Sequence, residues 1–231
     1  MKRLKSLKIL AVIPARGNSQ RVKNKNLRIL KGKPLIYWSI KAAKESKYIN
    51  NVTVSSDSLK ILNISKKYLA NTVLRPKNIS GNVIMPDSAL RHAYKFINKK
   101  FDYVVMLQPT CPLRTSQHID EAIKKIYESK KDSLFSAYKD KDHAFIWKKK
   151  FNSYKPINYD LKKRPRSQDV DFYRENGSIY VTRPKILLLY NNRLGGKIGI
   201  YLMKKEHSLD IDTLKDIKEA KLLMKKNKNF I

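Results

Sequence analysis

Strand-like and helix-like segments alternate along this chain as far as Asp140, and this order restricts the possible folds more than any other feature. The run "KILAVIPA" is continuously apolar, as expected of a strand that is covered on both faces. "KPLIYWSIKAAKES" then has helical spacing, and "NNVTVSSDS" is strand-like and rich in β-branched residues. Later segments repeat this order, with strands at "NTVLRP" and "FDYVVMLQP". The alternation predicts an α/β fold with a doubly wound, mostly parallel sheet.

The regular order is interrupted between Lys139 and Tyr173. This stretch contains Trp147, a run of lysines and two prolines, and it shows little periodicity. A chain of 231 residues fits one α/β domain, or one domain with an insertion. We therefore predict a single domain over residues 1–231 with an inserted arm at residues 139–173.

The net charge of the chain is strongly positive. With 51 Lys and Arg residues against 19 Asp and Glu, the formal charge is +32, which favours an anionic partner such as a nucleic acid, a membrane surface or a phosphorylated small molecule. Lysines are spread over the whole chain, however, and no basic stripe interleaved with stacking aromatic residues is present. A nucleic-acid-binding protein stays an alternative, and the main expectation is that there is no nucleic-acid or membrane partner.

Cysteine content and hydropathy indicate a compartment. The chain has a single cysteine, Cys111, which excludes an internal disulfide and is compatible with a reducing cytosol. No apolar stretch of the sequence approaches the roughly 20 residues that a membrane span needs. The sequence therefore predicts a cytoplasmic protein.

The loop after the first strand is rich in basic and hydrogen-bonding residues. In sheets of this type, ligands bind beyond the carboxyl ends of the strands, where "IPARGNSQRVKNKN" lies. It matches neither a dinucleotide fingerprint nor a Walker A loop, but backbone N–H groups around Gly17 and Asn18 can point at anionic oxygens. The side chains that add charge or hydrogen bonds are Arg16, Ser19, Arg21, Lys25 and Asn26. The loop predicts a polyphosphate site, with a solvated basic loop as the open alternative.

Two aspartates are conspicuous in the segment "SLDIDT". Asp210 and Asp212 are two residues apart, and on a strand this spacing places both carboxylates on one face with Ile211 turned into the core. Paired carboxylates suit Mg²⁺, which takes one or two carboxylates together with waters and phosphate oxygens. The alternative is a helix start, with Asp212 or Thr213 as the cap and Asp216 completing a capping box. The two roles are compatible.

Two further segments have side chains suited to ligand recognition. In "LQPTCPLRT", two prolines stiffen a loop that presents Gln108 and Arg114. Gln108 is suited to recognise a base or a sugar hydroxyl, and a structural turn is the alternative for this segment. In "RPRSQDVDFYRENGSIYV", arginines cluster ahead of a strand, and arginine is a natural ligand of a carboxylate. An exposed basic arm is the alternative for these arginines.

Taken in this order, these segments resemble one family, the cytidylyltransferases that activate sialic-acid-type nine-carbon sugars, which include CMP-N-acylneuraminate synthetases and their legionaminic and pseudaminic relatives. The resemblance covers almost the whole chain and rests on "IPARGNSQRVKNKN", "VSSDS", Arg75 with Pro76, "LQPTCPLRT", "RENGSIYV" and "DIDT". It implies a Rossmann-like fold of the nucleotide-diphospho-sugar transferase type with a dimerisation arm. It also implies a Mg²⁺-dependent reaction of CTP with a nonulosonic acid, which gives a CMP-sugar and pyrophosphate for cell-surface glycan biosynthesis.

The resemblance implies roles for individual residues. The implied nucleotide-binding residues are Arg16, Gly17, Asn18, Ser19, Lys25, Asn26 and Arg75. The implied sugar-binding residues are Gln108, Arg166, Gln168, Arg174 and Asn176. The implied catalytic residues are Lys25, Asp210 and Asp212, and the two aspartates are also the implied metal ligands. Residues 139–173 correspond to the arm through which the family forms homodimers.

One departure from the family pattern concerns Asn18, which stands where the family usually repeats glycine. If that position needs a positive φ, asparagine is the best tolerated substitute. A close alternative to the whole assignment is the cytidylyltransferase of an eight-carbon (KDO-type) sugar acid, which has the same sheet and the same chemistry. That relative carries an acidic residue near the position of Gln108, whereas "LQPTCPLR" has none. The sequence therefore favours a nine-carbon sugar acid.

Overall fold

The computed structural model describes every residue except 1–3, 5, 20, 82–83, 141–144, 167–168 and 227–231. The strands of its central sheet are β1 (Ile9–Pro14), β4 (Asn51–Ser56), β5 (Asn71–Leu74), β6 (Tyr103–Leu107), β7 (Ser133–Asp140), β10 (Phe172–Thr182) and β11 (Ile198–Leu202). Two separate hairpins are formed by β2 (Ile29–Leu30) with β3 (Lys33–Pro34), and by β8 (Trp147–Lys150) with β9 (Ser153–Pro156). The α-helices are α1 (Leu35–Lys44), α2 (Leu59–Lys67), α3 (Pro86–Ile97), α4 (Ser116–Ser129), α5 (Pro184–Leu189) and α6 (Leu214–Lys226).

The central sheet has the strand order β5-β4-β1-β6-β10-β7-β11. Neighbouring strands are parallel except at β10, which runs antiparallel to β6 and to β7. Helices cover both faces, because Ile9, Ala11 and Ile13 of β1 pack with α1, α2 and α4, while Leu10 and Val12 pack with α3 on the other face. The doubly wound, mostly parallel sheet predicted from the alternation is confirmed.

The strand order changes direction beside β1. From β1 the chain adds β4 and β5 on one side of the strand and then β6 on the other. In open α/β sheets, the carboxyl ends of the two strands at such a reversal bound the crevice where ligands bind. The loop after β1 begins at Ala15 and the loop after β6 begins at Gln108, so both loops start at this crevice.

The helix boundaries follow from capping chemistry that the sequence predicts. α2 begins after Ser58, whose hydroxyl accepts a hydrogen bond from the backbone N–H of Ile61. α4 begins after Thr115, with a capping box that His118 completes. α3 begins at Pro86. Proline lacks a backbone N–H, but N–H groups in the first turn of a helix have no acceptor within the helix, so no hydrogen bond is lost.

Regular strand pairing extends slightly into the stretch predicted as the arm at both of its ends. Lys139 pairs with Tyr173, and Asp140 pairs with Phe172, as regular parts of β7 and β10. The inserted residues therefore lie between Asp140 and Phe172, whose backbone groups still pair in the central sheet. Between them lie the β8–β9 hairpin and a 3-10 helix at Leu161–Lys163.

The segment "SLDIDT" is not a sheet strand, contrary to the expectation from its spacing. It follows a 3-10 helix at Lys205–His207 and lies outside the ladders of the central sheet. A backbone hydrogen bond from Ile211 N to the carbonyl oxygen of Thr110, at 2.8 Å, joins it to the loop after β6. Among the helices that the structure describes, none is both long and apolar enough to cross a membrane.

Candidate active site

A cavity of about 350 Å³ opens at the crevice between the carboxyl ends of β1 and β6. The loops after β1, β5 and β6 and the segment before α6 converge on it. The polar residues that line it are Arg16, Ser19, Arg21, Lys25, Asn26, Arg75, Gln108, Thr110, Asp210 and Asp212. Basic side chains outnumber acidic ones in this lining, so the cavity suits an anionic ligand.

The loop after β1 is shaped by hydrogen bonds that reach across it. The buried Asn26 side chain donates from Nδ2 to the carbonyl oxygen of Arg16 at 2.9 Å and so joins the two ends of the loop. Arg16 in turn donates to the carbonyl oxygen of Gly81 at 3.4 Å, which connects the loop to the segment before α3. Asn26 therefore braces the loop, while Arg16, Ser19 and Lys25 contribute side chains to the cavity wall.

The Gly17 amide, expected to point at a bound anion, already has a partner within the protein. Gly17 N donates instead to Asp57 Oδ1 at 2.9 Å. A Cβ added at Gly17 would lie 2.8 Å from the Cβ of Ser58, so glycine permits the close approach of this loop to the β4–α2 junction. Asn18 is exposed and does not have a positive φ, so the conformational reason considered for asparagine does not apply. Neither Gly17 nor Asn18 lines the cavity.

The two aspartates lie directly against the basic loop. Asp210 and Asp212 both line the cavity, and Ile211 between them is fully buried, so the predicted alternation holds without a sheet strand. Asp212 Oδ1 is 3.1 Å from Lys25 Nζ, and Asp212 Oδ2 forms an ion pair with Arg21. The structure thus brings together the basic loop and the acidic pair, which are separated by almost the whole sequence.

The predicted helix cap is present at the same place. Asp216 Oδ2 accepts hydrogen bonds from Asp212 N at 2.8 Å and from Thr213 N at 2.7 Å, and Asp216 N donates to Thr213 Oγ1 at 3.3 Å. This capping box closes the first turn of α6. It holds the backbone of Asp212 and leaves the Asp212 carboxylate directed to the cavity.

The oxygen donors of Asp210 and Asp212 fit a magnesium ion. Although Asp210 faces the cavity, the surrounding protein reduces its hydration, and this burial raises the pKa of its carboxyl group. A hydrogen bond from Thr110 opposes the rise, and the negative charge of Asp212 adds to it. Mg²⁺ takes one or two carboxylates and completes its shell with waters and phosphate oxygens. Within the described residues no group of three or more His, Cys, Asp or Glu suits a metal, so this pair would need oxygens from a ligand.

Arg75 reaches the cavity from the end of β5. The residue is 4% exposed, its Nε donates to Ser80 Oγ at 3.2 Å, and its Nη2 lies 3.7 Å from Asp57 Oδ1. Burial lowers the pKa of Arg75, Asp57 opposes this change, and the charge of Arg16 adds to it. In the part of the chain that the structure describes, Nη2 makes no hydrogen bond. A buried guanidinium with an N–H group that lacks a hydrogen-bond acceptor suits an anionic ligand.

Gln108 and Thr110 form the wall of the cavity beyond β6. The Gln108 side chain packs over Gly177 (φ +71°), where an added Cβ would lie 3.3 Å from Gln108 Nε2. The Thr110 hydroxyl lies 3.4 Å from Gln108 Oε1. Thr110 was not among the predicted site residues. Its position between the two prolines of a strand-end loop is the sequence feature that could have pointed to it.

Arg114 has a structural role, in agreement with the alternative that the segment "LQPTCPLRT" forms a structural turn. It is 1% exposed and donates to the carbonyl oxygens of Gln108 and Ser178, at 3.1 and 3.0 Å, and to Ser39 Oγ at 2.5 Å. Burial lowers the pKa of Arg114 to about 10. The guanidinium ties the loop after β6 to β10 and to α1.

Asn176, a predicted sugar-binding residue, has its side chain turned into the protein in this structure. This residue is 6% exposed, and its Nδ2 donates to Ser208 Oγ at 2.9 Å. Its Oδ1 accepts hydrogen bonds from Ser136 Oγ at 2.6 Å and from Ser178 N at 3.1 Å. Because both ends of the amide are used inside the protein, Asn176 joins β7, β10 and the segment before Asp210.

The remaining predicted sugar-binding residues are not gathered at the cavity. Arg174 pairs with Asp140 at 2.8 Å, and Arg166 pairs with Asp169 at 2.7 Å; both arginines are exposed and neither lines the cavity. Gln168 lies outside the described residues. Of the described members of the set, Gln108 is the one in the cavity wall.

Known proteins are similar to this chain along most of its length. A family model described as Cytidylyltransferase matches residues 10–231. The N-acylneuraminate cytidylyltransferase of Escherichia coli O18:K1:H7 is 32% identical over 230 residues, which cover 97% of this chain and 54% of that protein. N-acylneuraminate cytidylyltransferase A of Danio rerio is 35% identical over 216 residues, covering 91% of this chain and 49% of that protein. The chain thus spans about half the length of these two relatives.

A shorter relative matches from end to end. The pseudaminic acid cytidylyltransferase of Campylobacter jejuni is 30% identical over 230 residues, which cover 96% of this chain and 98% of that protein. Among solved structures, a CMP:2-keto-3-deoxy-manno-octonic acid synthetase complexed with CTP has a TM-score of 0.73 at 14% identity, covering 95% of this chain and 99% of that chain. At this identity the structural likeness shows the fold alone, which agrees with the predicted Rossmann-like, mostly parallel sheet. With the family match over residues 10–231, the chain belongs to the cytidylyltransferase family.

Proposed function

We propose that this protein joins CTP to a nine-carbon, sialic-acid-type sugar acid and releases pyrophosphate. The observation that carries the proposal is the cavity itself, which is lined by a basic loop, a buried arginine and a pair of aspartates from distant parts of the sequence. Such a lining matches a polyphosphate ligand that brings a divalent cation. The names of the N-acylneuraminate and pseudaminic acid relatives support the choice of sugar acid.

The geometry supports distinct roles for the cavity residues in the transfer of the nucleotide. An oxygen of the sugar hydroxyl forms a bond to the α-phosphorus, the bond from that phosphorus to the pyrophosphate oxygen breaks, and the hydroxyl proton is released. Reactions of this kind depend on positioning and on charge neutralisation more than on covalent chemistry. Arg16 and Lys25 would bind the triphosphate oxygens and neutralise the charge that develops on the leaving pyrophosphate.

Asp210 and Asp212 would hold the magnesium ion, which when bound supplies Lewis-acid polarisation of the phosphate oxygens. Arg75 would reach the nucleotide from the end of β5, because its guanidinium is buried at the cavity and its Nη2 makes no hydrogen bond within the described residues. Gln108, presented by a stiff loop, is placed to orient the sugar acid. Lys25 contacts both Asp212 and the carbonyl oxygen of Ile211, so it couples the phosphate loop to the acidic pair.

A pyrophosphate-release assay tests the proposal directly. Purified protein is incubated with CTP, Mg²⁺ and one acid from a panel containing N-acetylneuraminic, legionaminic, pseudaminic and eight-carbon KDO-type acids. Pyrophosphate release with a nine-carbon acid, together with a CMP-sugar mass, is the expected result. Turnover with the eight-carbon acid alone would replace the proposed substrate class, and no turnover with any acid would contradict the proposal.

We also propose that the arm between β7 and β10 joins two subunits. The hairpin and the segment after it expose large apolar side chains to solvent, among them Phe151, Tyr154, Ile157 and Leu161. Monomeric proteins rarely leave such residues together at the surface. Light scattering after gel filtration should give a dimer mass, and a Phe151→Ser, Leu161→Ser variant should shift toward the monomer; a monomeric parent protein would contradict this proposal.

A further inference from the structure

We propose that Asp57 is a positioning residue, whose carboxylate sets the Gly17 turn and the Arg75 guanidinium in the arrangement that binds the nucleotide. This inference rests on the proposed function, because it names a residue that acts on the nucleotide site through two others. Asp57 does not line the cavity itself.

The sheet places Asp57 between the two groups that it contacts. β4 lies between β1 and β5, and Asp57 is the first residue after β4. Backbone hydrogen bonds align the three strand ends, from Ala15 N to the carbonyl oxygen of Ser55 at 2.9 Å and from Arg75 N to that of Ser56 at 2.8 Å. A side chain leaving the middle strand at this level can therefore reach the loops on both sides.

One oxygen of Asp57 serves both neighbours. Asp57 Oδ1 accepts a hydrogen bond from Gly17 N at 2.9 Å and lies 3.7 Å from Arg75 Nη2. The approach of Gly17 is close enough that a Cβ there would meet Ser58 Cβ at 2.8 Å. The backbone after β1 is thus pressed against the β4–α2 junction and held there by the carboxylate.

The carboxylate also keeps two like charges in the same wall of the cavity. Arg75 is buried, and Arg16 is near enough to lower the Arg75 pKa, so the two guanidinium groups repel each other. Asp57 provides the opposite charge beside Arg75. The effect extends further, because Arg75 Nε donates to Ser80 Oγ and Arg16 donates to the carbonyl oxygen of Gly81, where the loop before α3 meets the cavity.

Two variants separate a positioning role from a general structural one. Asp57→Ala removes both contacts, whereas Asp57→Asn keeps an oxygen that can accept from Gly17 N. Asp102→Ala is the matched control, because Asp102 accepts a comparable hydrogen bond from Lys8 N, at 2.7 Å, at the amino ends of β1 and β6, away from the cavity. The measurements are the Kd for CTP with Mg²⁺ by calorimetry, the KM values for CTP and for the sugar acid, and the melting temperature.

We expect Asp57→Ala to raise the Kd and the KM for CTP about tenfold, which is the usual effect of losing a hydrogen bond to a charged group. The KM for the sugar acid should stay within about twofold, and the melting temperature should fall no further than in the Asp102→Ala control. Asp57→Asn should raise the Kd for CTP about threefold, between the unaltered protein and Asp57→Ala, because the acceptor for Gly17 N is retained while the negative charge beside Arg75 is lost.

The inference is overturned if Asp57→Ala binds CTP as the unaltered protein does, or if it weakens both substrates in parallel with a loss of thermal stability. It is also overturned if Asp57→Asn binds CTP as weakly as Asp57→Ala. These results leave the proposed function standing as long as the unaltered protein binds CTP and forms product. An unaltered protein that does not bind CTP removes both the proposed function and this inference.

Discussion

Lys25 Nζ lies 3.1 Å from Asp212 Oδ1 and 2.6 Å from the carbonyl oxygen of Ile211. This contact joins the loop after β1 to the segment before α6, although the two are separated by most of the sequence. Lys25 is only partly exposed, so its charge is screened by solvent less than that of a surface lysine. The loop and the acidic pair therefore form one site.

Replacing Lys25 with methionine should lower kcat/KM for CTP by about a hundredfold, as is typical when one group that stabilises transition-state charge is removed. Methionine keeps much of the apolar length of lysine but removes the charge. Steady-state pyrophosphate release measures the effect. Lys23→Met is the control, since Lys23 is an exposed lysine of the same loop that does not line the cavity. Equal activity of the two variants would contradict the role of Lys25.

Replacing Asp210 with asparagine should reduce turnover by at least about a hundredfold, because a bound metal ion supplies several kcal/mol of charge stabilisation in reactions of this type. Residual activity should need more Mg²⁺ to saturate. The measurement is the rate of pyrophosphate release against Mg²⁺ concentration, with thermal melting to show that the fold is intact. Glu219→Gln, an exposed acid on α6, is the control. An unchanged Mg²⁺ dependence in Asp210→Asn would remove this aspartate from the metal site.

Acid should destabilise the fold through His118. Burial, with the help of the neighbouring His207, lowers the pKa of His118 to about 4 from its ordinary value of 6.5, although Glu121 opposes the change. His118 Nδ1 accepts a hydrogen bond from Thr115 N at 3.1 Å, so the folded state needs this nitrogen unprotonated. Between these two pKa values the unfolded chain binds the proton more tightly, so stability falls as the pH drops from 6.5 toward 4, by up to about 3 kcal/mol.

Urea unfolding at several pH values measures this loss. His118→Gln is the informative variant, because glutamine at this helix position keeps an acceptor for Thr115 N but does not titrate. The variant should show a flatter dependence of unfolding free energy on pH between 6.5 and 4. Parallel curves for the two proteins would mean that His118 does not carry the effect.

The residues that the sequence predicted well are those whose position follows from the order of strands. Arg16 and Lys25 lie after β1, Gln108 lies after β6, and the reversal of strand order beside β1 brings these ends to one crevice. The spacing of Asp210 and Asp212 also predicted that both side chains point in the same direction. This holds because side chains alternate along extended backbone whether or not the segment joins a sheet.

The sequence predicted poorly those residues whose role depends on a contact across the fold. Asn176 looks like a ligand residue in sequence, yet Ser136 and Ser208, which are far away in the chain, use its amide. The Gly17 amide looks free in an extended loop, but the neighbouring strand end supplies Asp57 as its acceptor. Such contacts are decided by tertiary packing, which local sequence patterns do not reveal.

Cys111 should be unreactive in the folded protein. It is fully buried, and burial raises the pKa of its thiol to about 12, with the charge of Asp210 adding to the rise. Because the thiolate is the reactive form, iodoacetamide at pH 8 should modify Cys111 at the rate of unfolding in buffer and far faster in urea. Mass spectrometry follows the modification. Ser153→Cys, on the exposed hairpin, supplies a control thiol, and equal rates at both cysteines would contradict the burial of Cys111.

Replacing Gly17 with alanine should destabilise the fold and weaken CTP binding together. The added Cβ would lie 2.8 Å from Ser58 Cβ, and relieving such an overlap typically costs about 1–3 kcal/mol. The double variant Gly17→Ala, Ser58→Gly removes the atom that the new methyl group would meet, at a cost of only a few tenths of a kcal/mol for a glycine helix cap. Urea unfolding of the single and double variants should therefore show that the second substitution restores most of the lost stability. If Ser58→Gly adds its own loss to that of Gly17→Ala instead, the close approach of the loop to the β4–α2 junction is not what requires glycine here.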